Sequence, residues 1–144
     1  MHKKSKTLAT WLALTAGLLG AHRFYLHGWR DLGAWLHPLP ALLGLGGVIR
    51  MQNLGQNDLA AELLAPLFGL MLAVGMLSAI VIGMTPDERW NARFNPGQTM
   101  PASGWLVVIA MVVALLLGGT ALMGTIAYTG QKFFEFQALR ASSA

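Results

Sequence analysis

The sequence predicts an all-α integral membrane protein with four transmembrane helices arranged as two helical hairpins. Two observations carry that prediction. The chain is 55% hydrophobic and only 11% charged over 144 residues, whereas a soluble domain carries about 25% charged residues. Its apolar residues also fall into four runs whose cores contain no Asp, Glu, Lys or Arg. Net charge is +4, but the basic residues sit at the ends of runs. No basic stripe with interleaved aromatics marks a nucleic-acid surface, and contact with anionic lipid accounts better for the basic balance. The chain contains no cysteine, which excludes disulfides, thiolate metal sites and a cysteine nucleophile.

The first run, about 7–22, follows Lys3, Lys4 and Lys6. About 15 apolar or small residues is short of the roughly 20 needed to cross hydrocarbon. Snorkelling of the lysines at one end and Arg23 at the other would make up the difference. A basic start and a short apolar core also describe a signal peptide, but this run leads straight into a second apolar run. That second run, about 32–49, contains His37-Pro38-Leu39-Pro40. Each proline removes a backbone donor, so the helix either starts or kinks there, and His37 is expected near the interface. His2 reads as a solvated terminal residue.

A polar connector, 51–62, precedes the third run, 63–84, which has no charge and carries Pro66 in its first turn. Gly75, Ala79 and Gly83 recur every fourth residue, a helix-packing ridge that allows a neighbouring helix to approach closely. The polar loop 85–103 separates this run from the fourth, 104–128, which is flanked by the interfacial aromatics Trp105 and Tyr128. Residues 129–144, with Lys132, Phe133, Phe134 and Arg140, read as an amphipathic tail in the headgroup layer. The domain division is therefore a hairpin over 1–50, the connector, and a second hairpin over 63–128. With four spans both termini share a side. Six basic residues then stand against four, and the lysine-rich N terminus makes that side cytoplasmic.

The densest chemistry lies where the first run ends, in Gly17-Leu-Leu-Gly20-Ala-His22-Arg23-Phe24-Tyr25-Leu26. This segment, preceded by Lys4-Ser5-Lys6-Thr7, resembles the TM-two domain family over about residues 4–50. The resemblance implies two membrane helices with the His-Arg-Phe-Tyr motif at the end of the first, and it implies no reaction. Two departures stand out. His27 intervenes before Gly28, with Gly33 one residue late, and Val48-Ile49-Arg50 stands where many members have an aspartate.

Physically, Gly17 and Gly20 admit another helix, Arg23 caps carbonyls or meets phosphate, and Phe24 and Tyr25 anchor at the interface. His22, Arg23, Tyr25 and His27 together could instead form a headgroup, anion or partner site. Metal ligation has little support, because His22 and His27 are five apart and no acid cluster accompanies them. No cofactor is expected. The acids Asp31, Asp58, Glu62, Asp87, Glu88 and Glu135 all lie at run ends or in loops, so no enzyme is predicted. The favoured reading is a non-enzymatic scaffold or accessory protein of a bacterial inner membrane. Its partners would be the lipid bilayer and a membrane protein or a second copy. The alternative is a small transporter or channel, as an oligomer lined by Thr15, Ser78, Thr120 and Thr125.

Overall fold

The computed structural model describes residues 3–98 and 101–142; His2 lies outside them. Seven α-helices follow in order: α1 (Lys6–Ala16), α2 (Ala21–His27), α3 (Leu32–Leu36), α4 (Pro38–Leu54), α5 (Leu59–Met84), α6 (Asp87–Phe94) and α7 (Trp105–Ser142). Three stretches are long and apolar enough to cross a membrane, namely Leu32–Leu54, Leu59–Met84 and Trp105–Ser142. The protein is an all-α, multi-span membrane protein.

The first run does not form the continuous helix expected over 7–22. Ser5 caps α1 by accepting from the Leu8 N–H, and the helix ends after 11 residues. A 3₁₀ turn follows at Gly17–Leu19, and Gly20 then takes a left-handed φ of 73°. Glycine adopts that conformation without a Cβ penalty. It reverses the chain, so α2 folds back beside α1 and brings the Tyr25 hydroxyl to the Ser5 N–H at 2.7 Å.

α5 is the central post. Its antiparallel neighbours can be placed by the glycines that touch them. Gly83 lies against Met111 and Val107 of α7, and Gly118 of α7 lies against Met76. Gly47 of α4 meets Leu64 and Ala65, and Gly44 meets Leu67 and Phe68. Gly17 and Gly75 meet backbone to backbone, so a Cβ on Gly17 would come within 2.9 Å of the Gly75 Cα. Alanines complete the contact between α1, α5 and α7. Ala9, Ala13, Ala79, Ala110 and Ala114 are all wholly buried. Small side chains let backbones close where lipid supplies no hydrophobic drive between helices.

α1 and α4 therefore cover different halves of α5. Lys6 reaches the end of α5 at the Thr85 carbonyl, 2.6 Å away. Gly75, where α1 runs out, lies ten residues and about 15 Å down that helix. From there α4 covers the remainder to Leu59. The N-terminal segment and the 85–103 loop occupy one end of the bundle. The α4–α5 turn and the C-terminal half of α7 occupy the other.

Helix limits also differ from expectation. The connector is mostly helical, because α4 runs to Leu54 and Asp58 caps α5 by accepting from the Ala61 N–H at 2.9 Å. α7 is one helix of 38 residues that runs through Tyr128 and on to Ser142. No proline occurs after Pro101 to end it. The amphipathic tail is thus a continuation of the last apolar helix rather than a separate element.

Candidate functional site

The His22–Tyr25 motif occupies α2, and its polar groups are engaged within the chain. Arg23 Nε donates to Asp31 Oδ2 at 3.0 Å, and an Arg23 terminal nitrogen donates to Asp31 Oδ1 at 3.4 Å. Asp31 in turn caps α3 by accepting from the Gly33 N–H at 2.9 Å. The bonded guanidinium holds the Asp31 carboxyl below the usual carboxylate range. The Arg23 guanidinium lies over Gly33, in the space a side chain there would share. Phe24 packs with Trp29 and Trp35, ring centroids 5.3 and 5.2 Å away, and Trp35 Nε1 donates to the Trp29 carbonyl. The exposed tryptophans suit an interfacial belt.

Tyr25 belongs to a second cluster at the same end. The Lys4 N–H donates to Asn95 Oδ1 at 2.8 Å, while the Lys4 carbonyl accepts from Trp90 Nε1 and Asn95 Nδ2. Lys4 Nζ donates to the Leu26 carbonyl. Lys6 Nζ pairs with Asp87 at 2.9 Å, and Asp87 also accepts from the Ser103 N–H and hydroxyl. These bonds, the Ser103 hydroxyl first, pull the Asp87 carboxyl down to about 2. Asp87 is therefore more than one acid of a polar loop. It is the anchor that ties the loop to the N terminus. Sequence reasoning missed Asp31, Asp87, Trp90 and Asn95. The only sequence signal was the eight-residue spacing of Arg23 and Asp31; Asp87, Trp90 and Asn95 lie 81 to 91 residues from the lysines they meet.

His22 and His37 meet deeper in the bundle, where the α1–α2 reversal touches the α3–α4 junction. Their ring centroids are 5.9 Å apart, edge to face. His37 packs on Gly20, whose Cβ would sit 2.9 Å from the His37 Cβ. His22 Nδ1 and His37 Nε2 are buried without a hydrogen-bond partner. His37 lies at the α3–α4 junction, one residue before Pro38 opens α4, so the helix starts at the prolines after a short preceding turn. No set of three or more potential metal-ligating residues converges among the described residues.

The structure places Gly17 against Gly75 of α5 and Gly20 against His37, so the two glycines serve different neighbours. Gly75 and Gly83 likewise face different partners, one on the α1 end and one on α7, with Ala79 buried between them. Thr15, Ser78, Thr120 and Thr125 do not converge on a channel within the chain. Each hydroxyl donates to the carbonyl four residues back, at 2.7–2.8 Å.

Residues 2–51 match the family model described as TM2 domain. That match spans the α1–α2 reversal, the Arg23–Asp31 clasp and most of α4, and agrees with an N-terminal helical membrane region. No curated protein and no solved structure matches the chain.

Proposed function

We propose that the protein is a non-enzymatic membrane scaffold or accessory subunit whose N-terminal motif builds a re-entrant helical hairpin. In this reading three helices cross the bilayer, and α1–α2 enters and leaves on the N-terminal side. The carrying observation is that Arg23, Tyr25 and the Lys4–Lys6 segment direct their polar groups to Asp31, Ser5, Asn95, Leu26 and Asp87. A motif consumed by internal bonds is architectural. The face left for a partner is on α7, where Gly119 and Gly130, eleven residues apart and so on one side of the helix, have open space beside them. Small residues on a lipid-facing helix suit a close helix–helix contact.

Charge supports this three-crossing layout. It gathers seven of the ten basic residues at the N-terminal end (Lys3, Lys4, Lys6, Arg23, Arg30, Arg89 and Arg93), leaving Arg50, Lys132 and Arg140 opposite. The acids divide equally, three to each end. Seven against three is a firmer bias than the six against four of a four-span layout, and it places the N terminus in the cytoplasm and the C terminus outside. A bacterial inner membrane is the proposed location. In-membrane photo-cross-linking from position 126, two turns from Gly119 on the same exposed face, tests the scaffold reading. One dominant adduct, lost on Gly119→Leu, is expected; undiminished cross-linking in that variant would contradict it.

One observation favours a transporter as the second reading. Irregular backbone at membrane depth is tolerated where protein buries it or where it lines a wet cavity, and the 17–20 break brings together two imidazoles that each keep one buried nitrogen without a partner. Proton flux into liposomes, abolished by His37→Phe in a folded protein, would select that reading over the scaffold.

A further inference from the structure

α6 carries a second basic group that the motif does not use. Arg89 and Arg93 are four residues apart, so they share one face of this helix. Both are exposed, and among the described residues neither joins an ion pair. They overhang a cleft between α2, the end of α5 and α6. Its floor is apolar, formed by Leu26, Val81, Ile82, Trp90 and Phe94. His27 and Thr85 complete the rim. The Arg93 guanidinium stands 5.3 Å from the Phe94 ring centroid and Lys4 Nζ stands 5.7 Å from it, so the aromatic wall carries cations on two approaches.

No carboxylate lines this cleft. Asp31 comes nearest through His27, at 3.6 Å, but it is already bonded to Arg23. Asp87 is bonded to Lys6 and Ser103. Glu88 is exposed on α6 and is not part of the wall. The apolar floor is open sideways, since Val81 is 58% exposed on the outer surface of α5. A site with two unpaired guanidiniums above and a greasy, laterally open wall below has the polarity of one lipid molecule.

We propose that this cleft binds an anionic glycerophospholipid, with its phosphate between Arg89 and Arg93 and one acyl chain along Val81, Ile82 and Leu26. Guanidinium groups favour phosphate through paired, charge-assisted hydrogen bonds. The chain supplies the second half of the recognition, which separates this site from a simple basic patch. A lipid held there braces α6 against α2 and α5, on the outer side of the Lys4–Asn95 contact. The site rests on α6 lying in the headgroup layer and is independent of which side of the membrane is cytoplasmic.

Native mass spectrometry of the full chain in mild detergent tests the site, with phosphatidylglycerol or phosphatidylcholine of identical chains added. The wild type is expected to retain phosphatidylglycerol in preference. The R89Q/R93Q variant should lose about thirtyfold of that binding, the scale set by removing two basic residues at the headgroup layer. R89K/R93K should keep most of it. R30Q/R140Q removes the same charge elsewhere and should bind as the wild type does. Millimolar glycerophosphate should leave the lipid in place, because it lacks the acyl chains. Equal retention by R89Q/R93Q, an equal loss in R30Q/R140Q, or complete displacement by glycerophosphate would each overturn the proposal. Unfolding temperature in the same detergent identifies a misfolded variant, and R93Q alone, with a smaller loss expected, then decides. Because binding is read in detergent, its failure leaves the crossing number untouched, and an error in crossing number leaves the binding result intact.

Discussion

The two halves of α5 are held by the same packing device but fastened in different ways. From Leu59 to Phe68 the partner is α4, which presents Ala41, Gly44 and Gly47 and is joined to α5 by a short turn. That turn is closed by a local pair, Arg50 Nε with Asp58 at 2.5 Å. From Gly75 to Met84 the partner is α1, which is far from α5 in sequence. It is fastened by bonds spanning 79 to 91 residues, from Lys4 and Lys6 to Thr85, Asp87, Trp90 and Asn95. A nearby partner is kept in place by its connection. A distant partner that is too short to cross needs a polar clamp at its exposed end, and the motif and loop supply one.

The largest expected effect comes from prying α1 off its half. Gly75→Leu places a side chain against the Gly17 backbone and should destabilise the protein by about 3 kcal/mol, the upper range for overpacking a tight contact. Gly46→Leu points into open space on α4 and should be nearly silent. Thermal unfolding in detergent, followed by tryptophan fluorescence, measures both. Equal effects would mean that packing at Gly75 is looser than the geometry states.

The clasp comes next. Arg23→Leu and Asp31→Asn should each lower the unfolding temperature by less than Gly75→Leu does. Their double variant should fall little below either single one, since both remove one interaction. Strict additivity would show that the two residues act separately. Arg23→Lys should recover only part of the loss, because Arg23 uses two nitrogens on one carboxylate.

Smaller still, Tyr25→Phe removes the acceptor for the Ser5 N–H and should cost about 1 kcal/mol. The effect of Asp87 stands apart from this order because it depends on pH. Its carboxyl is held down at about 2, below the ordinary value near 3.9. Its ionised form therefore contributes fully above about pH 4, and the contribution fades as pH falls toward 2. The stability difference between wild type and Asp87→Asn should shrink over that window. A difference that stays constant from pH 6 to pH 2 would remove the charge from the clamp.

Much of this fold was legible in the residues. Helical content and apolar stretches near 32–49, 63–84 and 104–128 follow from runs long enough to cross a bilayer and free of charge. The reversal was not legible, because a left-handed glycine looks the same in sequence as a packing glycine. Gly20 is the former and Gly17 the latter. The 15-residue length of the first run pointed to the reversal, but snorkelling offered an equally physical way to lengthen it. The contact of His37 with His22 was not legible either, since it depends on the same reversal. The clamp was invisible because Lys6 and Asp87 are 81 residues apart, and only the three-dimensional path of the chain brings them together.

Sidedness of the two ends tests the account most directly, and the absence of native cysteine makes the measurement clean. Single-cysteine variants Ala102→Cys and Ser142→Cys, treated with a membrane-impermeant maleimide on intact cells, report the loop end and the C-terminal end separately. Three crossings with a re-entrant first hairpin predict labelling at 142 and none at 102 until the cells are permeabilised. Labelling at 102 with protection at 142, as four crossings with cytoplasmic termini predict, would contradict it, as would labelling of both positions or of neither.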